Sequence, residues 1–129
     1  MFLLDTNVWA VYLRGKNPNV RQRLAAESAY EIALCSVVLG ELIYGSLRSA
    51  HPTRNRAALE RLIAPYTCLP FDDLAADQFA ILRRHLESVG TPIGLYDLQI
   101  AAIALVNGCT LVTHNQQEFS RVPGLTLED

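Results

Sequence analysis

Met1-Phe2-Leu3-Leu4-Asp5-Thr6-Asn7-Val8-Trp9 opens the chain, and three readings meet in it. Met1 to Leu4 is a short apolar run, as expected of a buried strand, and Asp5-Thr6-Asn7 are residue types that cap helices. Val8, Trp9, Val11, Tyr12 and Leu13 then recur as they do in a helix. The segment therefore reads as strand, turn, helix, with an acid at the turn.

The same alternation continues outward from it. A second helix is expected over Asn19 to Ser28, after Pro18, and a second strand over Glu31 to Cys35. Ser36 caps a helix carrying Val37, Val38, Leu39, Leu42, Ile43 and Leu47. Pro52-Thr53 opens another, with Ala58, Leu59, Leu62 and Ile63 on one face, which closes before Pro65. Thr67 to Leu69 is a short strand, and Leu74 to Val89 has apolar residues at helical spacing up to Gly90. After the turn-rich Gly90-Thr91-Pro92-Ile93-Gly94, a helix runs from Tyr96 to Val106 and ends at Asn107-Gly108. Leu111-Val112 is a strand, Phe119 lies in a helical turn, and Leu125-Thr126-Leu127 is a last strand. Strands alternating with helices imply right-handed crossovers, hence an α/β fold with a central parallel sheet of four to five strands covered by helices on both faces. No repeat, linker or low-complexity segment divides residues 1–129, so one domain is expected.

Composition narrows the function. Half of the residues are apolar and the charged fraction is moderate, which excludes disorder and a disulfide scaffold. No apolar stretch is long enough to cross a bilayer, and the run before Asp5 is too short for a signal peptide, so the expected compartment is the cytoplasm. Cys35, Cys68 and Cys109 lack zinc-binding spacing and read as reduced core thiols. A net charge of −2 argues against holding nucleic acid by bulk electrostatics, though not against a local basic rim. Almost all the basic residues are arginine, which suits bidentate phosphate contact.

The chemistry rests on acids. Open parallel sheets place ligands beyond the carboxyl ends of their strands. Asp5 stands at such an end and Asn115 at another, after the strand around Thr110 to Thr113. Asp97 lies in the first turn of a helix that is otherwise nearly all apolar. Glu41 interrupts an apolar helix, with Val37 and Gly45 one turn away, so its side chain is expected to point into a cavity near the sheet edge. Each has a plainer alternative: Asp5 as a helix cap, Asp97 as a favourable partner of the helix dipole, Asn115 as a turn residue, and Glu41 neutralised by Arg14 or Arg48. Together they are expected to converge. Two carboxylates about 4 Å apart repel by about 4 kcal/mol at an effective dielectric of about 20, so three need a proton or a cation. An all-oxygen donor set selects Mg²⁺, with Mn²⁺ as a substitute, over zinc, and Mg²⁺ is commonly completed by phosphate oxygens.

Competing phosphoryl-transfer folds require a lysine near the phosphoryl group. Lys16 is the sole lysine and falls in the loop between the first two helices. Gly15-Lys16-Asn17 also lacks the phosphate-loop pattern, and no dinucleotide-binding glycine fingerprint is present. His51, His85 and His114 form no spaced set; His51 and His85 read as surface residues, while His114 adjoins Asn115 and is a minor candidate for the pocket.

Four segments in order, Leu3-Leu4-Asp5-Thr6-Asn7, Gly40-Glu41-Leu42-Ile43-Tyr44-Gly45, Gly94-Leu95-Tyr96-Asp97-Leu98-Gln99-Ile100-Ala101 and Leu111-Val112-Thr113-His114-Asn115, lead on to Glu118-Phe119 and Val122-Pro123-Gly124-Leu125. Through them the chain resembles, end to end, the PIN-domain nucleases, and specifically the VapC toxins of toxin–antitoxin pairs. The resemblance implies a PIN fold and a Mg²⁺- or Mn²⁺-dependent endoribonuclease, the toxin of a type II pair, that hydrolyses RNA, often transfer RNA, by metal-activated water to leave 5′-phosphate and 3′-hydroxyl ends. By matching positions it makes Asp5, Glu41 and Asp97 the metal-site carboxylates and Asn115 the fourth catalytic position, supported by the Thr6 and Thr113 hydroxyls. It also implies a homodimer and a VapB-type antitoxin that docks a helix beside the apolar first helix. A PIN nuclease of RNA processing or DNA repair and a non-catalytic PIN interaction module are the alternatives. Two positions depart from the pattern: Leu95 stands where proline is usual, which relaxes the loop before Asp97, and Gln117 where arginine is frequent.

Overall fold

The computed structural model describes residues 1–129. Five strands, β1 (Phe2–Leu4), β2 (Ile32–Cys35), β3 (Thr67–Leu69), β4 (Thr110–Val112) and β5 (Thr126–Glu128), form one sheet in the order β3-β2-β1-β4-β5, parallel at every pairing. Seven helices connect them: α1 (Thr6–Arg14), α2 (Pro18–Ala25), α3 (Ser36–Leu47), α4 (Pro52–Ile63), α5 (Asp73–Ser88), α6 (Leu95–Val106) and α7 (Gln116–Phe119). From β1 the chain builds outward through β2 to β3, then returns across the sheet to β4 and β5. Right-handed crossovers consequently put α1 to α4 over one face and α5 to α7 over the other.

Burial explains the strand composition. Leu3, Ala33, Cys35 and Leu111 are fully buried, as both faces of a parallel sheet demand. Helix α6 packs between the sheet and α5, so Ile100 through Ala104 are inaccessible almost all the way round the helix. The apolar surplus of α1 is largely absorbed by the core: Trp9 is fully buried, edge-on to Tyr66 at 5.1 Å, while Leu13 keeps 38% of its surface.

Four local expectations change. Ser36 is the first residue of α3 rather than its cap: Cys35 takes the cap position, and the Ser36 hydroxyl donates to the Leu69 carbonyl of β3 at 3.4 Å instead of accepting a helix N–H. Helix α2 ends at Ala25 rather than Ser28, because the Ser28 hydroxyl instead accepts the Tyr30 N–H and caps a 3-10 turn, Ala29–Glu31. The last strand sits one residue later, where Glu128 pairs with Val112. Cys35 and Cys109 are buried, but Cys68 is exposed, since β3 is the edge of the sheet and its outer side lacks a covering element.

Candidate active site

The order of the strands creates the site. The chain turns to opposite sides of β1, toward β2 and toward β4, and a crevice opens beyond the carboxyl ends of β1 and β4. The Asp5 N–H donates to the Val112 carbonyl at 3.0 Å, carrying the β1–β4 ladder one residue past β1. Asp5 then stays extended, at φ −77° and ψ 176°, and caps α1 by accepting the Val8 N–H at 3.2 Å on Oδ1. Its Oδ2 accepts the hydroxyl of Thr113, a fully buried residue whose Oγ1 in turn accepts the Asn115 N–H at 3.0 Å. The expected helix cap and the expected site acid are thus one residue in both roles of position.

Glu41 enters from the middle of α3. Thr6 Oγ1 donates to its Oε1 at 2.6 Å, so the first helical residue after Asp5 orients the second acid. Neither Arg14 nor Arg48 pairs with Glu41, which removes the neutralised-charge alternative. The side chain lines a cavity of about 750 Å³ together with Thr6, Val37, Gly40 and Gly45.

Asp97 enters from the first turn of α6, and Asn115 Nδ2 lies 3.4 Å from its Oδ2. The same amide donates to Glu118 Oε2 at 2.8 Å, and Glu118 Oε1 accepts the Gly94 N–H at 2.8 Å. Glu118 is a site residue to which the sequence reading assigns no role, although Glu118-Phe119 is among the segments that carry the resemblance. The signal that could have placed it is its position three residues after Asn115, which on the single turn of α7 brings both to one side. It also answers the departure at Leu95: the loop before Asp97 is pinned by Glu118 through the backbone of Gly94, where proline would have stiffened it covalently.

The electrostatics are uneven. Burial, then the charge of Glu118 and a hydrogen bond with it, then the charges of Asp5 and Glu41, push the Asp97 carboxyl up to about 6. Glu118 moves the other way, held below its usual range by the Gly94 N–H and the Asn115 amide. Asp97 therefore keeps the proton of this pair, and its charge is what the other acids oppose. As the side chains stand, no three His, Cys, Asp or Glu groups close on a single point as a ligand shell. The donor set nevertheless fits a hard divalent cation: the groups around Asp97 are carboxylate, amide and hydroxyl oxygens, and the repulsion that adds to burial in raising Asp97 is what such a cation reverses.

His114 is not part of this pocket. It is exposed, its Nδ1 stands 2.5 Å from Asp129 Oδ1, and it borders a separate, mainly apolar cavity of about 240 Å³ between α2 and the sheet. Side chains alternate across an extended segment, which turns His114 away from the face that Thr113 and Asn115 serve. His51 and His85 lie on the surface.

Comparison with known proteins agrees with this arrangement. The PIN domain family model matches residues 2–125. The tRNA(fMet)-specific endonuclease VapC of Salmonella typhimurium is 38% identical, with 99% of this chain and 96% of that protein aligned. Ribonuclease VapC2 of Rickettsia felis is 36% identical, with 100% and 97% aligned. Among solved structures, DNA-bound VapBC from Salmonella typhimurium superimposes with a TM-score of 0.93 over 99% of this chain and 96% of that one, at 38% identity. FitAcB from Neisseria gonorrhoeae gives 0.89 at 26% identity, covering 100% and 97%. A parallel sheet ordered β3-β2-β1-β4-β5, acids at the ends of its central strands, and relatives aligned over almost their whole length place this chain in the PIN-domain family, in its VapC ribonuclease branch.

Proposed function

We propose that this protein is a Mg²⁺-dependent endoribonuclease, the toxin of a type II toxin–antitoxin pair, acting on transfer RNA. The observation that carries the reading is the run of hydrogen bonds that ties the acids together beyond β1 and β4: Asp5 to Thr113, Thr113 to Asn115 and Asn115 to Asp97, with Glu41 held by Thr6 next to Asp5. Mn²⁺ is the expected substitute, and Asp5, Glu41 and Asp97 would hold the ion, with Glu118 as a fourth acid beside it. Bound there, the cation supplies charge neutralisation at the scissile phosphate and lowers the pKa of attacking water.

The chain's own residues do the rest. Thr113 and Thr6 hold Asp5 and Glu41 in fixed rotamers through their hydroxyls. Asn115 bridges Asp97 and Glu118 with its amide, adding no charge of its own. Glu118 ties the N-terminus of α6 to α7, so Asp97 is carried on a restrained turn. The substrate assignment draws on the transfer-RNA specificity in the name of the Salmonella relative.

A VapB-type antitoxin is the proposed partner, supported by solved neighbours that are VapBC complexes. A second copy of this chain is proposed as well; Leu74, Ile81 and Val89 of α5 and its C-terminus leave apolar surface exposed for it. No helix is long and apolar enough to cross a membrane, and a transfer-RNA substrate would place the protein in the cytoplasm.

The test is cleavage of in vitro transcribed initiator transfer RNA by the purified protein in Mg²⁺. Asp5→Asn, Glu41→Gln and Asp97→Asn should each lower the rate by about a hundredfold or more while the circular dichroism spectrum is retained. Cleavage that survives EDTA, or an Asp97→Asn protein at full rate, overturns the mechanism. Toxicity on expression that disappears when the adjacent gene is co-expressed would separate a toxin from a housekeeping nuclease.

A further inference from the structure

The cavity beside Glu41 contains more than the acid needs. Besides Thr6 and Glu41 it is lined by Tyr44, Arg48, Tyr96 and Gln99. Tyr44 follows Glu41 by three residues on α3, and Tyr96 immediately precedes Asp97 on α6, so two aromatic rings flank the acids from two different elements. We propose that this cavity is a nucleobase subsite, in which Tyr44 and Tyr96 offer stacking faces to one unstacked RNA base next to the scissile phosphate and Arg48 takes a neighbouring phosphate. The proposal rests on the ribonuclease reading above and names the part of the substrate that this side of the site recognises.

Four observations carry it. Tyr44 and Tyr96 keep 63% and 64% of their surface, and neither ring is paired with another aromatic ring, unlike Trp9, Tyr12, Tyr66, Phe71 and Phe79. No aromatic ring covers either of them, although Arg48 lies over one face of Tyr44, and an exposed aromatic face is one that any RNA base can cover. Arg48 has no carboxylate within salt-bridge distance, and its guanidinium lies 5.5 Å from the Tyr44 ring centroid. Stacked in this way it is preorganised, with its forked donors unspent. The volume, about 750 Å³, falls within the range of ligand clefts. Finally, Thr6, Glu41, Arg48 and Gln99 place polar groups on the same wall as the two rings, a mixture that suits a heterocycle better than an apolar helix from a protein partner.

The experiment compares Tyr44→Ala, Tyr96→Ala, Tyr44→Phe, Tyr96→Phe and Arg48→Gln with the parent protein. Tyr30→Ala serves as control, because Tyr30 is 85% exposed in the turn that precedes β2, at the opposite end of that strand from the acids. Binding of fluorescein-labelled initiator transfer RNA is read by anisotropy in Ca²⁺, cleavage kinetics in Mg²⁺, and oligomeric state by size-exclusion chromatography. Each Tyr→Ala change should weaken binding by about tenfold and raise KM by a similar factor with kcat nearly unchanged, whereas the Phe variants stay within about twofold. Arg48→Gln should weaken binding and flatten its salt dependence. Tyr30→Ala should behave as the parent.

Unchanged affinity in both alanine variants overturns the subsite, as does a loss that phenylalanine fails to restore. So does an affinity loss that tracks a shift from dimer to monomer, which would assign these rings to a contact between copies. The two readings fail separately: a parent protein that binds the RNA but leaves it intact in Mg²⁺ sinks the nuclease reading, while the binding series still decides whether the rings take a base.

Discussion

Asp5 and Asp97 reach the same crevice from two regions of the molecule that treat a carboxylate in opposite ways. At the end of β1 the charge is provided for: Oδ1 accepts a backbone N–H of α1 and Oδ2 accepts the buried Thr113 hydroxyl. At the start of α6 the charge is resisted: Asp97 is half-buried, faces Glu118, Asp5 and Glu41, and has a long contact with the Asn115 amide as its one side-chain hydrogen bond to a neutral group. The contrast separates two jobs that residue type alone merges. Asp5 belongs to the fold as much as to the site, because capping and ladder extension use it whether or not an ion is present. Asp97 is placed where burial and its acidic neighbours oppose its charge, and that opposition is what a cation would relieve.

The sharpest way to break the comparison is to add the ion. At about one hundred times the Kd, Mg²⁺ should raise the unfolding free energy by about 2.7 kcal/mol, and far less in Asp97→Asn, as read by thermal or urea unfolding. The Asp97 carboxyl, raised to about 6, must release its proton before it can serve an ion. Below that pH the Mg²⁺ midpoint should therefore climb by about tenfold per pH unit, and a flat midpoint between about pH 5 and 6, within about twofold, would remove Asp97 from the ligand set.

Substitution comes next, with opposite signs expected in metal-free protein. Asp5→Ala should cost about 2 kcal/mol, from the lost cap and the stranded Thr113 hydroxyl. Asp97→Asn should instead stabilise by about 1 kcal/mol at about pH 7.5, a figure discounted for solvent screening of a half-exposed group. The sign follows from the direction of the shift. A raised carboxylate pKa favours the folded state below the unfolded value near 3.8, and that contribution is lost as pH rises to about 6. The gain from Asp97→Asn should accordingly shrink toward zero by about pH 4. Destabilisation by Asp97→Asn at neutral pH would show that the two acids are held alike.

The smallest effect concerns the restraint on α6. Leu95 is exposed at the first helical position, and Gly94 before it is extended at ψ 145°, a backbone that already suits a following proline. Leu95→Pro should add about 0.5 kcal/mol without altering the site, as measured by urea unfolding. A loss of stability or of cleavage would mean that the Glu118–Gly94 hydrogen bond needs a mobile Leu95.

Much of the fold and of the site is legible in the order of the residues. Asp5 can be placed at a strand end because the apolar run stops there and capping residues begin. Glu41 can be aimed at a cavity because α3 offers no polar stripe for it. Asp97 can be put in a first turn because the rest of α6 is apolar. These are local signals, carried by spacings of about two to four residues. Glu118 escapes them because α7 is too short to have a periodicity, and its partner Gly94 is far away in sequence. Cys68 departs from expectation for a related reason: Thr67–Leu69 has the composition of any short strand, and whether a strand is central or an edge depends on which others pair with it.

What the sequence determined by itself is the succession of elements, the Asp5 cap of α1 and the places of the three acids along them, since helix and strand periodicity, capping and burial preference act between near neighbours. Tertiary structure alone decided the order β3-β2-β1-β4-β5, and with it that Thr113 would meet Asp5, Thr6 would meet Glu41, and His114 would turn away. The first two contacts join residues separated by 108 and 35 positions, and their formation depends on how buried faces pack together, which no local pattern encodes.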